Sequence, residues 1–323
     1  MSETNPIKVL FIDEVHESLE QDLTRIGVVC DHDYKSNKQD IQSKTKDYQG
    51  IIIRSRIPLD AEFLKANKHL LFIGRSGSGM ENIDLPMAKS FNINCFNAPE
   101  ANKNAVAEHA MGMILSLFNK LNQGDRDIRN GNWQRELHRG EELFGKTIGI
   151  IGYGHNGSSF AEKLRSFGCE IIAYDKYKTG FSNDFVTEVS LEELKRKSDV
   201  ISLHIPQNDE TKYLINNVFI DSCTKPFFLI NTSRGKIVDT KSLVNALKNN
   251  QIKGACLDVL EFEKTSFSNL FEQDEIPKAF RDLLDTEKVI LSPHVAGWTT
   301  ESYIRLSQVL SNKILNLLNV SSK

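Results

Sequence analysis

The chain has 323 residues, of which 40% are hydrophobic and 26% are charged, and its formal net charge is −3. This length suits two domains, and the charge balance offers no general attraction to nucleic acid or to an anionic membrane surface. No apolar run reaches the roughly 18 residues of a membrane-spanning helix, and the first residues lack the basic and hydrophobic blocks of a secretory signal. The five cysteines lack the spacing of zinc ligands or of a disulfide framework, so we expect reduced thiols, no metal and a cytoplasmic location.

Short apolar runs alternate with helical patterns through the first hundred residues, which is typical of a parallel sheet covered by helices. Strands are predicted at residues 8–12, 27–30, 50–54, 70–74 and 93–97. One long helix is then predicted over residues 103–121, because apolar side chains recur at helical spacing. A polar stretch follows over residues 122–145.

A second alternating series begins at Lys146, with strands predicted at residues 147–152, 170–174, 200–204, 226–231, 254–260 and 289–292. Six strands with intervening helices match a complete dinucleotide-binding domain. The last helix, predicted over residues 301–318, has no strand after it and is expected to pack back on the N-terminal domain. We therefore predict an α/β protein of two doubly wound parallel-sheet domains, one discontinuous (residues 1–102 and 298–323) and one continuous (residues 103–297), hinged where they join.

A glycine fingerprint, Gly152, Gly154 and Gly157, lies between a predicted strand and a predicted helix. The first glycine permits a tight turn, the second lets the backbone approach a pyrophosphate, and the third lets helix and strand pack closely. The phosphates would then lie at a helix N-terminus. Asp175 ends the next strand, where a carboxylate can accept hydrogen bonds from ribose hydroxyls, so the pattern favours NAD over NADP. Lys176 beside it weakens that preference, and a simple glycine turn is the alternative interpretation.

Three charged residues follow the last three predicted strands: Arg234, Glu263 and His294. Ligands of open α/β sheets bind beyond the carboxyl ends of the strands, so these side chains should face one crevice. A guanidinium can hold a carboxylate and polarise a carbonyl, while a histidine oriented by a carboxylate can transfer a proton. Each residue alone is most simply a solvated loop residue or a hydrogen-bonded structural histidine. Together they predict hydride transfer between NAD and the C2 carbon of a 2-hydroxy or 2-oxo acid.

Ordered motifs run along nearly the whole chain. They are residues 74–79 (GRSGSG), 97–99 (NAP), 105–108 (AVAE), 143–147 (LFGKT), 231–235 (NTSRG), 257–259 (LDV) and 292–299 (SPHVAGWT), together with the glycine fingerprint. In this set the chain resembles the D-isomer-specific 2-hydroxyacid dehydrogenases, and within them the branch that acts on phosphoglycerate. The resemblance implies a flavodoxin-like substrate-binding domain, a Rossmann NAD-binding domain, and a homodimer formed through the NAD-binding domains.

The resemblance also implies roles for individual residues. Arg234, Glu263 and His294 would be catalytic, and Asp258 would bond the nicotinamide carboxamide. The cofactor would further be contacted by Ser78, Gly152, Gly154, His155, Asn156, Gly157, Asp175, Ile205, Pro206, Thr232, Ser233, Ala296 and Gly297. The substrate carboxylate would meet Ser76, Gly77 and Ser78, in a turn whose backbone N–H groups can form an anion nest.

Substrate choice depends on three arginines. Arg54 and Arg75 each follow a predicted strand of the first domain, and Arg135 lies near Trp133. Two or three guanidinium groups suit a phosphate better than a neutral tail, although a structural salt bridge is an equal alternative for each. In the phosphoglycerate branch that the chain resembles, similar arginines meet the phosphate of the substrate. The resemblance therefore implies oxidation of 3-phosphoglycerate to 3-phosphooxypyruvate, the entry to serine synthesis.

Two alternatives remain open at this point. The chain could be a hydroxypyruvate or glyoxylate reductase, or it could be a non-enzymatic NAD-sensing scaffold like the corepressors among its relatives. The chain also departs from the family pattern at His155-Asn156, where Arg-Ile is common, at Lys264, where proline is common, and in a longer segment between Glu263 and His294. It ends one helix after His294, so a regulatory serine-binding domain is not expected.

Overall fold

The computed structural model describes residues 6–263, 271 and 276–321. These residues form two compact units, one of residues 6–102 and 298–321, and the other of residues 103–263 and 276–297. Each unit contains one parallel sheet with helices against it, which confirms the predicted α/β class.

The first unit is built on a five-stranded parallel sheet. Its strands are β1 (Lys8–Phe11), β2 (Val29–His32), β3 (Gly50–Ile53), β4 (Phe72–Arg75) and β5 (Asn94–Phe96), in the order β2-β1-β3-β4-β5. This is the flavodoxin-like order. The first helices of the unit are α1 (Ser18–Arg25), α2 (Lys38–Lys44), α3 (Ala61–Ala66) and α4 (Leu85–Ser90). Asp60 and Asp84 start α3 and α4, because each side chain accepts a hydrogen bond from a first-turn N–H group.

The second unit is built on a seven-stranded parallel sheet. Its strands are β6 (Thr147–Ile151), β7 (Glu170–Tyr174), β8 (Thr187–Glu188), β9 (Val200–Leu203), β10 (Phe227–Asn231), β11 (Ile252–Leu257) and β12 (Val289–Leu291). Their order is β12-β11-β10-β9-β6-β7-β8, so the strand order reverses between β6 and β9. Such a reversal is the point at which doubly wound sheets bind dinucleotides.

The helices of this second unit are α5 (Lys103–Phe118), α6 (Leu121–Arg129), α7 (His155–Leu164), α8 (Leu191–Lys197), α9 (Asn217–Ser222), α10 (Thr240–Lys248) and α11 (Lys278–Leu284). The last helix, α12 (Thr300–Ser321), belongs to the first unit. There Leu310 and Ile314 pack in one apolar cluster with Val9 and Phe72. None of the helices in the described part of the chain is both long enough and apolar enough to cross a bilayer.

Several element boundaries differ from the predicted ones by two or three residues, and three differences have a clear physical reason. Strand β2 begins two residues later than predicted, because Gly27 adopts a left-handed φ of +84° in the turn before it. The helix predicted over residues 103–121 ends at Phe118, since Lys120 is left-handed, and α6 then forms inside the predicted polar stretch. The sheet of the second unit has a seventh strand, β8, whose two residues are too few to give an alternating pattern.

His204 is a half-buried histidine directly after β9. Its Nε2 lies 2.8 Å from the hydroxyl of Ser202, and its ring packs against Phe160. Burial lowers the pKa of His204 to about 3, because the apolar surroundings disfavour the imidazolium. The native state therefore keeps this ring neutral at pH values where an unfolded chain would protonate it.

This histidine should make the protein less stable in acid. The unfolded state takes up the proton as pH falls below the ordinary value of 6.5, whereas the native state does not until near pH 3. From about pH 7 to about pH 4, His204 should remove about 3 kcal/mol from the free energy of unfolding. Urea titrations across this range should show that the free energy of unfolding falls less on acidification for His204→Gln than for the wild type. The exposed His69 provides the control, because His69→Gln should leave the loss unchanged; equal losses in all three proteins would contradict the prediction.

Candidate active site

The glycine fingerprint forms a tight loop between β6 and α7. Gly152 has a φ of +93°, and a Cβ at this position would lie 2.4 Å from the carbonyl oxygen of His204. A Cβ at Gly157 would lie 2.0 Å from the carbonyl oxygen of Gly152, so helix and turn touch backbone to backbone. Gly154, in contrast, faces open space and begins α7 without a side-chain cap. The first N–H groups of this ten-residue helix are thus available to an anionic group.

Buried polar atoms near the strand ends fit a polar cofactor. Among the described residues, Asn156 Oδ1 and Thr232 Oγ1 are buried without a hydrogen-bond partner, which native structures seldom tolerate. Asn156 is in the first turn of α7, and Thr232 directly follows β10. Together with the glycine loop, these orphaned atoms fit a dinucleotide that brings its own hydrogen-bonding groups.

Asp175 lies at the end of β7, beside the glycine loop. Its carboxylate accepts hydrogen bonds from the backbone N–H groups of Tyr153 (2.8 Å), Tyr177 (2.9 Å) and Lys178 (3.0 Å). A cavity of about 690 Å³ opens here, and its lining includes Asp175, Lys176, Glu188 and Glu193. Three carboxylates against one lysine disfavour an additional phosphate group.

The loops after β9 and β10 are tied to each other. The hydroxyl of Ser233 donates a hydrogen bond to the carbonyl of Leu203 (2.6 Å), so this side chain joins the two strands. In the loop after Ile205, the carbonyl of Pro206 accepts a hydrogen bond from the hydroxyl of Thr211 (2.6 Å). Ile205 and Pro206 are therefore held at the strand ends as predicted walls of a cofactor site, but their contact with a ligand stays a prediction.

The sheet register places the three predicted catalytic residues at one edge. Asn231 of β10 pairs with Leu257 of β11, and Leu257 pairs with Leu291 of β12. Arg234 and His294 each follow three residues after these paired positions. A Cβ on Gly235 would lie 1.9 Å from the carbonyl oxygen of Leu260, so the backbone next to Arg234 packs directly on the loop that leads to Glu263.

Glu263 and His294 form a direct pair. Glu263 Oε2 lies 2.6 Å from Nδ1 of His294, and Glu263 Oε1 accepts a hydrogen bond from the backbone N–H of Leu260. The carboxylate is thereby fixed from two sides. Because an ionised carboxylate only accepts hydrogen bonds, this geometry places a proton on Nδ1 and directs acid–base chemistry to Nε2. The segment that follows Glu263, including residues 264–270 and 272–275, lies outside the described residues.

Asp258 holds the loop that carries His294. The carboxylate is 1% exposed and accepts hydrogen bonds from the Ser292 hydroxyl (2.6 Å) and from the N–H groups of Val295 and Ala296 (2.8 Å each). His294 itself has a left-handed φ of +56°, which is uncommon for a residue with a side chain. Its N–H donates to the Asp258 carbonyl (2.8 Å). The predicted cofactor ligand Asp258 is thus also a structural clamp.

One residue of this network was missed by sequence reasoning. Nε2 of His109, on α5, lies 2.8 Å from the Ser292 hydroxyl and 3.5 Å from the Asp258 carboxylate. Because Ser292 donates its one proton to Asp258, His109 must donate to Ser292. Its position directly after the AVAE motif was the only signal in the sequence.

The predicted substrate residues of the first unit lie at the ends of β3 and β4. Arg75 Nε donates a hydrogen bond to the carbonyl of Arg54 (3.1 Å), so the two arginines are adjacent. A Cβ at Gly77 would lie 1.6 Å from Arg75 Nη1, which means that the guanidinium lies over this glycine. Ser76 is buried, and its N–H donates to Ile53 (2.8 Å).

The remaining predicted residues are placed differently. The Ser78 hydroxyl donates to Asn102 Oδ1 (2.8 Å), so it is engaged within its own unit. Arg135 belongs to the second unit, in an exposed segment after α6. Its grouping with Arg54 and Arg75 stays a prediction. In the part of the chain that the structure describes, no three histidine, cysteine or acidic side chains form a metal-binding group.

The chain is similar in sequence to proteins of one known enzyme family. Residues 111–296 match the model of the D-isomer specific 2-hydroxyacid dehydrogenase NAD-binding domain. A D-3-phosphoglycerate dehydrogenase of Archaeoglobus fulgidus is 31% identical over 96% of this chain and 57% of its own length. The chain thus spans little more than half of that relative. A hydroxypyruvate reductase of Thermotoga maritima is 34% identical over 84% of this chain and 85% of its own length.

Solved structures of similar proteins have the same fold. A D-lactate dehydrogenase of Aquifex aeolicus, in complex with NAD and lactic acid, superposes with a TM-score of 0.82 and is 27% identical, covering 97% of this chain and 95% of that one. The family match spans more than half of the sequence, and it includes both the glycine loop and His294. The chain therefore belongs to the D-isomer specific 2-hydroxyacid dehydrogenase family.

Proposed function

We propose that the protein interconverts a small 2-hydroxy acid and the corresponding 2-oxo acid with NAD as the redox partner. The observation that carries the proposal is the 2.6 Å pair of Glu263 and His294 at the strand edge that also bears Arg234. A nicotinamide cofactor, when bound, would supply the hydride chemistry. Side chains of this protein would transfer the proton and bind the substrate.

His294 acts as the general acid and base. With Nδ1 bonded to Glu263, Nε2 accepts the hydroxyl proton of the substrate during oxidation and returns it during reduction. Glu263 keeps the ring in this orientation and stabilises the imidazolium that forms. Arg234 holds the substrate carboxylate and polarises the C2 oxygen, because its planar fork can donate two parallel hydrogen bonds.

We expect Glu263→Gln to lower kcat by about a hundredfold or more, the typical contribution of a positioned acid–base group. The amide can still accept the Leu260 N–H but no longer stabilises a charged His294. Steady-state kinetics and NADH titrations would measure kcat and cofactor affinity separately, and the affinity should be nearly unchanged.

Glu261 is a matched control for this variant. It is two residues away and bonds the hydroxyl of Tyr213 and the N–H of Thr240, so its role in the structure is to hold local elements together. Glu261→Gln should lower kcat by no more than a few-fold. Equal losses in the two variants, or full activity of Glu263→Gln, would speak against the assigned roles.

The substrate that we propose is 3-phosphoglycerate, which is oxidised to 3-phosphooxypyruvate. Two features support it: the 31% identity to the Archaeoglobus fulgidus D-3-phosphoglycerate dehydrogenase, and the adjacent Arg54 and Arg75 of the first unit, which suit a phosphate dianion. The second candidate is hydroxypyruvate reduction. The Thermotoga maritima relative favours it, because the two chains match over most of both lengths.

The preferred cofactor that we propose is NAD rather than NADP. The support comes from Asp175, which lies where a ribose would be bound, and from Glu188 and Glu193 in the same cavity. A 2′-phosphate would meet three carboxylates and only one lysine there.

Arg54→Ala should separate the two candidate substrates. Loss of hydrogen bonds to a charged group costs about 1.5–3 kcal/mol, so kcat/KM for 3-phosphoglycerate should fall roughly 10- to 100-fold. The value for hydroxypyruvate should change less than about threefold, because its tail carries no charge to pair. NADH absorbance assays with both compounds would measure this. Wild-type protein that prefers hydroxypyruvate would exclude 3-phosphoglycerate, and NADH binding without turnover of any 2-oxo acid would favour the non-enzymatic scaffold.

We also propose a homodimer formed through the NAD-binding unit. The support is a segment rich in exposed apolar side chains: Leu121, Ile128, Trp133, Leu137 and Phe144 are each more than half exposed. Such exposure within 24 residues is typical of a protein-binding surface rather than of a solvated loop.

The double variant Trp133→Ser and Leu137→Ser should be monomeric at micromolar concentration while keeping its circular dichroism spectrum, since the two side chains are 78% and 59% exposed and support no core. Sedimentation velocity would measure the change in mass. Val218→Ser, which removes a 79% exposed apolar side chain on α9, serves as the control and should not alter the mass. A wild-type monomer, or an unchanged double variant, would refute this interface.

A further inference from the structure

The backbone of Arg54 is fixed on both sides. The consecutive N–H groups of Arg54, Ser55 and Arg56 donate to one oxygen of the Asp13 carboxylate at 2.6, 3.0 and 3.2 Å. The Arg54 carbonyl accepts a hydrogen bond from Arg75 Nε at 3.1 Å. The Cα–Cβ direction of Arg54 is therefore set by the sheet edge, and only the side chain remains to be oriented.

The Arg54 side chain differs from that of its neighbour Arg56. The Arg56 guanidinium donates to the carbonyls of Ile12, Ser36 and Asp33, which makes it a structural arginine. Within the described chain, the Arg54 guanidinium makes no ion pair or hydrogen bond to another side chain or carbonyl. It is half-buried, and burial lowers its pKa because removal from water disfavours the charge. A partly desolvated cation of this kind is suited to an external anion.

The Arg54 guanidinium lies over the aromatic ring of Trp298. The Arg54 Cζ lies 4.0 Å from the centroid of the Trp298 ring, well within the range of a cation–π interaction. Tyr303, on α12, meets Trp298 edge to face at 5.3 Å, and His16 meets Tyr303 in the same manner at 5.8 Å. The tryptophan is therefore also in contact with an aromatic side chain of α12.

Core packing does not explain the position of Trp298, because 47% of this residue is exposed to solvent. Its ring instead packs against the Arg54 guanidinium. Both residues belong to the first unit, so the pair forms within a single compact body.

We propose that Trp298 is a specificity-positioning residue, which holds the Arg54 guanidinium ready for the phosphate of the substrate. The inference rests on the proposed function for the choice of substrate, but the arginine–tryptophan pair itself would bind any small dianion. The role proposed for Trp298 is to orient Arg54, and it does not include proton transfer. Its loss should therefore weaken binding of the charged tail and leave the chemical step intact.

Kinetics of Trp298 variants form the first test. With Trp298→Leu, we expect KM for 3-phosphoglycerate to rise about tenfold, which corresponds to about 1.4 kcal/mol, while kcat changes less than about twofold. KM for hydroxypyruvate should not change. Trp298→Phe keeps an aromatic face and should restore most of the affinity. Equal KM increases for both substrates, a fall confined to kcat, or no effect would overturn the proposal.

Direct binding of inorganic phosphate is the second test, and it does not depend on turnover. The chain has two tryptophans, so Trp133→Phe leaves Trp298 as the only indole fluorophore. Phosphate added at constant ionic strength should change this fluorescence saturably, and the additional substitution Arg54→Ala should abolish the change. A response that is absent, or that persists without Arg54, would overturn the proposal.

The two tests also separate the proposed substrate from the proposed role of Trp298. A protein that turns over hydroxypyruvate but not 3-phosphoglycerate, and whose Trp298 fluorescence still reports phosphate through Arg54, would refute the proposed substrate and support the anion site. Turnover of 3-phosphoglycerate with no response of Trp298 to phosphate would support the substrate and refute the role of Trp298.

Discussion

The strand edge that carries the proposed catalytic residues depends on one buried carboxylate. Asp258 accepts hydrogen bonds from Ser292 and from two successive backbone N–H groups after His294. An ionised carboxylate at this depth is costly unless it is fully bonded, so the loop must close around it. The left-handed backbone of His294, which costs on the order of 1–3 kcal/mol, is maintained by the same closure. The hydrogen bonds of the buried Asp258 carboxylate thus maintain the left-handed backbone of His294, and this backbone sets the orientation of the imidazole.

The same short segment serves two assignments. His294, tied to Asp258, belongs to the second unit, and Trp298, four residues later, belongs to the first. Thr299 and Ser302 then exchange hydrogen bonds between side chain and backbone at the start of α12, in the reciprocal pattern of a capping box. The ends of the segment are therefore fixed by different elements. The residue proposed to transfer a proton and the residue proposed to support substrate recognition are thus held by different elements, although they are close in sequence.

Much of this arrangement could be predicted because parallel strands buried on both faces appear as apolar runs. Once the strands were located, the carboxyl-end rule grouped Arg234, Glu263 and His294 without any distance information. The network of His109 could not be found in this way. His109 and Ser292 are 183 positions apart, and a single polar residue on an amphipathic helix resembles any solvent-facing one. Helix α6 was missed for a related reason, since its sequence LNQGDRDIR contains only two large apolar residues, Leu121 and Ile128, which are too few to reveal a helical period.

The different surroundings of Arg54 and Arg56 could not be predicted from the sequence. Arg54 and Arg56 follow the same strand, two residues apart, and composition or pattern gives no basis for separating them. The difference lies in which acceptors each guanidinium reaches. Arg56 donates to the backbone carbonyls of Ile12, Asp33 and Ser36, so its hydrogen-bond donors are used within the fold.

The backbone of Arg54 is bonded to Asp13. In the described part of the chain, its guanidinium has no hydrogen-bonded acidic partner, and Asp13 and Glu14 act on it through their charge alone. The guanidinium lies against an aromatic face, which attracts the cation without using the five N–H donors. An acidic partner would have stabilised the fold more, but it would also have competed with an anionic ligand for the same donors. A tryptophan in that place orients the charge and leaves its hydrogen-bonding capacity for the ligand.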